Sequence, residues 1–145
     1  MRNLSIHGHA NFRQFRDGRL VDSWDADNLI TDDGFDFIAD VIGNGTQPAD
    51  MDNIAVGTGT TAADAADSTL ETELFRKAAV FAHISGTKTF TFTVTFDPGE
   101  ATGAITEAGV LNAASLGVLL DRLVFPVKNI GAGDSLTVEF TFTLS

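Results

Sequence analysis

Two segments of this chain, TKTFTFTVTF at residues 87–96 and SLTVEFTFTLS at residues 135–145, alternate polar and apolar residues, the first from Thr89 onward. A period of two places Phe90, Phe92, Val94 and Phe96 on one side of a pleated strand and Thr89, Thr91, Thr93 and Thr95 on the other. Leu136, Val138, Phe140, Phe142 and Leu144 oppose Thr137, Glu139, Thr141 and Thr143 in the same way. A helix would scatter these phenylalanines around its axis. One apolar and one polar face is the pattern of antiparallel sheets that cover a core on one side, and β-branched threonine suits the solvated surface.

Other segments extend this reading. Leu4, Ile6, Ala10 and Phe12 share a parity, Asp17-Gly18 supplies a turn, and RLVDSW continues as a return strand, so residues 3–25 read as an N-terminal hairpin. Residues 103–112 and 116–125 read as two strands around a turn at Ala114 and Ser115, the second stopped by Pro126. One helix is expected after Thr31, a good N-cap. Asp32 and Asp33 favour its dipole, Phe35, Ile38, Ala39 and Ile42 recur at helical spacing, and Gly43 ends it. Gly34 in the first turn opposes that helix. Gly43-Asn44-Gly45 and Pro48 then read as a loop. Six or more strands with one short helix predict an all-β fold, an antiparallel, jelly-roll-like β-sandwich.

With 145 residues, 43% of them hydrophobic, the chain suffices for one core, so residues 1–145 are expected to form a single domain. It has no cysteine, which excludes disulfides, thiolate metal sites and cysteine nucleophiles. Neither a leader nor a membrane-spanning run is expected from its apolar segments. The net charge of −11 is unevenly placed: from Leu20 to Phe75 there are thirteen acidic residues and no lysine or arginine. Such a field disfavours nucleic acid, because phosphate affinity comes from basic side chains. The basic cluster is Arg2, Arg13, Arg16 and Arg19, read either as solvated strand residues or as a docking patch for an acidic partner.

The stretch Gly57-Thr58-Gly59-Thr60-Thr61 resembles a phosphate loop at first sight. It lacks the lysine of a P-loop and has Ala62 where the dinucleotide fingerprint has its third glycine; Asp64, Asp67, Glu71 and Glu73 follow and would repel a polyphosphate. A structural corner is the expectation. His7 and His9 face one way on a strand, but nothing brings His83 to them to complete a metal site. Asp64 and Asp67, with Asp50 and Asp52, offer oxygens that calcium accepts; their order is not that of an EF-hand, and the simpler reading is a soluble loop. There is no G-x-S-x-G elbow, cysteine or tyrosine, so no nucleophile is nominated and no enzyme is expected. Trp24 is the lone candidate for stacking on a sugar.

Taken in serial order, several segments carry a resemblance: Asn28-Leu29-Ile30-Thr31-Asp32-Asp33-Gly34 before a helix, Ile54-Ala55-Val56-Gly57-Thr58-Gly59-Thr60-Thr61, Leu70-Glu71-Thr72-Glu73, Ile105-Thr106-Glu107-Ala108-Gly109-Val110, Leu120-Asp121-Arg122, Phe125-Pro126-Val127-Lys128, and the terminal alternating strand. Over roughly residues 11–145 the chain resembles virion structural proteins of tailed bacteriophages, both capsid decoration (head-stabilising) subunits and domains of tail-fibre or collar proteins. The resemblance implies a non-enzymatic subunit, assembled in the host cytoplasm, that binds the capsid exterior. Its partner would be the major capsid protein, whose capsomers it bridges, with homo-oligomers (trimers favoured), no cofactor or metal, and no direct contact with nucleic acid or membrane. The N-terminal hairpin would be the docking arm, with Arg13, Arg16 and Arg19 meeting an acidic lattice. A tail-fibre or receptor-binding component is the alternative, and a carbohydrate-binding module using Trp24 a further one.

Overall fold

The two Phe/Thr segments become hydrogen-bonded neighbours. In the computed structural model, which describes residues 3–145, β7 (Thr89–Phe96) pairs antiparallel with β10 (Asp134–Leu144) so that Phe92 faces Phe140, Phe90 faces Phe142 and Val94 faces Val138. The threonines align on the outer face, with the Thr95 and Thr137 hydroxyls 3.0 Å apart. Phe90 stacks on Phe142 with ring centroids 5.2 Å apart. Each such ring contributes about 2 kcal/mol by leaving water, and a cross-strand pair adds about 0.5–1 kcal/mol.

β1 (Ile6–Arg16) and β2 (Arg19–Asp27) form the expected N-terminal hairpin. Asp17 (φ 52°) and Gly18 (φ 76°) are both left-handed, the geometry that matches the twist of a two-residue hairpin. With β6 (Val80–His83) these strands make one sheet in the order β2-β1-β10-β7-β6. β3 (Leu29–Ile30), β4 (Asn53–Gly57), β5 (Glu73–Ala78), β8 (Gly103–Leu111) and β9 (Asp121–Ile130) make the second, in the order β3-β9-β8-β4-β5. The fold is an antiparallel β-sandwich in which hairpins alternate between the layers, and β10 inserts between β1 and β7. One apolar cluster joins the sheets, including Phe12, Phe92, Phe96, Phe140 and Phe142 from the first and Ile54, Ile105, Val110, Leu123 and Phe125 from the second.

α1 (Asp32–Gly43) starts where the sequence predicts, with the Thr31 hydroxyl accepting from the Gly34 N–H at 2.9 Å. Of its anticipated apolar face only Ile38 is half-buried, beside Phe37, which the spacing did not include; Ala39 is exposed, and Phe35 and Ile42 are 52% and 76% exposed. Gly34, which opposed the helix in sequence, is its one buried residue, pressed against the Leu120 carbonyl.

Two expectations are corrected. Leu4, grouped with the core by parity, lies ahead of β1 and is exposed. The strand predicted over 116–125 and stopped at Pro126 instead begins at Asp121 and continues to Ile130. Residues 112–120 form a longer loop, with Leu116 and Gly117 left-handed and the Asn112 side chain accepting from the Val118 N–H at 2.6 Å. Pro126 is tolerated because the register shifts there: Ile105 pairs with Lys128 but Glu107 with Val124, so Pro126 sits exposed in a bulge.

Candidate functional site

The outer face of the second sheet is not left to water. Residues 58–72, between β4 and β5, fold back over it and form a small second core of Ala55, Leu70, Leu111 and Leu119. At the root of this excursion the Gly57-Thr58-Gly59 stretch does cradle an anion, and that anion is the chain's own Glu107. Its Oε2 accepts from the N–H groups of Gly59 (2.6 Å) and Thr72 (2.8 Å), and its Oε1 from the Glu71 N–H (2.8 Å) and Arg122 Nε (3.0 Å). The glycines are needed for this approach. A Cβ on Gly59 would lie 2.2 Å from Glu107 Oε2, and one on Gly57 would lie 2.3 Å from the Thr72 carbonyl oxygen.

Glu107 is fully buried and Arg122 nearly so. Arg122 extends the pair to Asp67, with Nη1 3.0 Å from Oδ2, and so ties the acidic excursion to the sheet. Asp67 in turn accepts from the Asp64 N–H at 2.9 Å, while Asp64 accepts from the Ala66 N–H at 2.8 Å. Both candidate calcium ligands thus order their own loop. Among the described residues no group of three or more His, Asp or Glu side chains is placed to hold a metal ion. Asp121, next to Arg122 in sequence, faces a different environment. Its carboxylate is completely buried, accepts from the Val110 N–H at 2.9 Å and from the Asn28 amide, and burial pushes it up to about 7 against those two hydrogen bonds.

The N-terminal arginines separate. Arg16 donates from Nε and Nη2 to the Asp134 carboxylate at 2.8 and 3.0 Å, and Gln14 donates to the same group at 2.8 Å. The Arg16 hydrogen bonds hold Asp134 well below the usual carboxylate range. Arg13 lies on the opposite face of β1, in an open concavity of about 510 Å³ shared with Ser23, Asp25 and Glu139. Arg19 is exposed at the start of β2. Neither Arg13 nor Arg19 forms an ion pair with the described residues. Arg2 lies outside them.

The remaining candidates disperse. His9 pairs with Asp27 at 2.8 Å and His7 lies beside Ser5, whereas His83 is on β6, with β10 and β7 between. Asp52 accepts from the Asn53 amide at 2.6 Å, and Asp50 is exposed beside an apolar groove. Trp24 stacks on Phe12 at 5.1 Å, contacts Phe125 and is capped by Lys128, whose Nζ is 5.0 Å from the ring centre. Its indole face is packed, so it offers no open sugar platform.

Glu107, Asp121 and Arg122 stand in the sequence segments above without an assigned role. The signal was present, since charges inside the runs AITEAGVL and LLDRLVF must find partners where they are buried. No family model, curated protein or solved structure matches this chain.

Proposed function

We propose that this chain is a non-enzymatic structural subunit of a tailed-phage virion, a capsid decoration protein that binds the outside of the major capsid shell and bridges neighbouring capsomers. The observation that carries this reading is the inward use of its buried polar chemistry. Among the described residues, Gln14, Thr31, Asn53, Thr106, Glu107, Asp121, Arg122 and Asp134 are the buried polar and charged ones, and each bonds within the chain. Such a block supports adhesion through its exterior. The serial resemblance supplies the partner, and the acidic surface suits a solvent-facing shell.

Docking is assigned to Arg13 and Arg19 on the N-terminal hairpin. Arg16 serves the fold through Asp134, so its contribution is to hold the hairpin in place. Quantitative mass spectrometry of intact particles tests the role: hundreds of copies, in fixed ratio to the major capsid protein, are expected for decoration. A few to a few dozen copies would overturn it in favour of a tail component. On purified shells, Arg13→Ala/Arg19→Ala is expected to lower occupancy while leaving the melting temperature unchanged, and unaltered occupancy would remove the docking assignment.

A further inference from the structure

The two sheets have four edge strands, β2 and β6 in one and β3 and β5 in the other. Three carry features that keep an edge from pairing with another chain. β2 bears Arg19, Asp22, Asp25 and Asp27, β5 bears Glu73, Arg76 and Lys77, and β3 has only two residues. β6 has no such protection. From Ala78 to Thr87 there is no Asp, Glu, Lys or Arg, every residue of β6 is exposed, and Val80, Phe81 and Ile84 are 71%, 57% and 74% exposed. β7 pairs with one side of it; the other presents a strand's row of N–H and C=O groups.

We propose that β6 is a self-association edge: β6 of one copy pairs antiparallel with β6 of a second copy about a two-fold axis perpendicular to the sheet, joining their five-stranded sheets edge to edge. Charge selects the edge. Each copy carries −11, which opposes association of like copies wherever acidic faces meet, and β6 is the edge longer than two residues whose strand sets no carboxylate against its own copy. Antiparallel pairing about a two-fold is self-complementary, so the same unprotected edge serves both partners. A trimer would instead seat β6 on a different edge of its neighbour, and those edges are charged or too short.

A four-residue strand alone falls short of the roughly 800 Å² per partner that stable interfaces bury. The apolar surface continues, however, into a groove of about 400 Å³ between α1 and β6, lined by Phe37, Ile38, Val41, Phe81 and Phe90, with Asp50 and Asp52 at its rim. This assignment concerns the free protein and does not depend on the virion role.

Light scattering and sedimentation of the full chain across micromolar concentrations test it, with Val80→Lys/Ala82→Lys as the variant. Val80 and Ala82 pair with Thr93 and Thr91, on the threonine face and away from the core. The wild type is expected to be a dimer. The variant is expected to keep the same circular dichroism and to raise the dimer dissociation constant by about tenfold or more. A wild-type monomer, a wild-type trimer or a folded variant that dimerises as before would overturn the proposal. Should the variant not fold, amide exchange on the wild type decides: β6 amides that become more protected as concentration rises support the edge pairing, and unchanged protection refutes it.

Discussion

Glu107 shows what a single charged side chain does inside this sandwich. A buried carboxylate is tolerable only when donors replace its water, and here three backbone N–H groups and Arg122 do so. Glu107→Gln keeps the shape but leaves Arg122 without its innermost counter-charge and turns an amide NH₂ toward a cluster of donors. It is expected to destabilise the fold by about 3–5 kcal/mol, lowering the melting temperature by roughly 10 °C. Glu107→Gln/Arg122→Met should recover part of this loss, a coupling that a double-mutant cycle in denaturant would measure. A Glu107→Gln protein as stable as the wild type would show that the excursion is held by its apolar contacts alone. Parity made one residue-scale result readable in advance: Arg16 shares the even numbering of Ala10 and Phe12, so it could not project with Arg13. That Glu107 meets Arg122 follows from the β8–β9 pairing, in which Glu107 opposes Val124 and so lies diagonal to Arg122 on one face; what was not readable is that the N–H groups of Gly59, Glu71 and Thr72, from a distant loop, close over the same carboxylate.

At the scale of elements, α1 is placed by its first turn more than by its apolar stripe. Thr31 caps the helix and also donates to the Leu119 carbonyl at 2.7 Å, while a Cβ on Gly34 would lie 2.2 Å from the Leu120 carbonyl oxygen. Glycine-to-alanine changes inside helices normally stabilise by about 1 kcal/mol. Gly34→Ala is expected to do the reverse, costing about 1–3 kcal/mol as the helix is forced off the start of β9. Gly43→Ala, where an added Cβ would meet nothing within 4 Å, should be neutral or mildly favourable. Urea unfolding of the two variants compares them directly, and equal effects would show that the helix shifts freely on the sheet. The Phe/Thr strands were legible because local pattern and tertiary placement agree; the bounds of α1 were legible from the local Thr31 cap and Gly43, although its apolar stripe is largely exposed. β5 and β6 lack a sustained alternation, and β9 runs through a proline that only a bulge in register accommodates.

For the molecule as a whole, two buried carboxylates give stability an unequal dependence on pH. Asp134 is held low by Arg16, so its contribution is present above its ordinary value of 3.8 and is lost as acid protonates it in the folded state. Asp121 has the opposite sign. It is raised from 3.8 to about 7 by burial, so folding takes up a proton between those values; its contribution is complete below about pH 4 and is lost as pH rises toward 7. The net charge of −11 adds a gradual self-repulsion that acid also relieves. Melting temperature should therefore climb from about pH 8 to about pH 5, with a steep part set by Asp121 on a shallow slope set by the remaining charges. Asp121→Asn separates them, because asparagine still accepts from the Val110 N–H, and its NH₂ can donate to Asn28 Oδ1 once the Asn28 amide, whose Nδ2 now faces the carboxylate, turns over. The variant is expected to exceed the wild type at alkaline pH and to lose the steep part, leaving the shallow slope. Parallel profiles for the two proteins would mean that Asp121 does not titrate in this range, and that surface repulsion alone makes the fold favour mild acid.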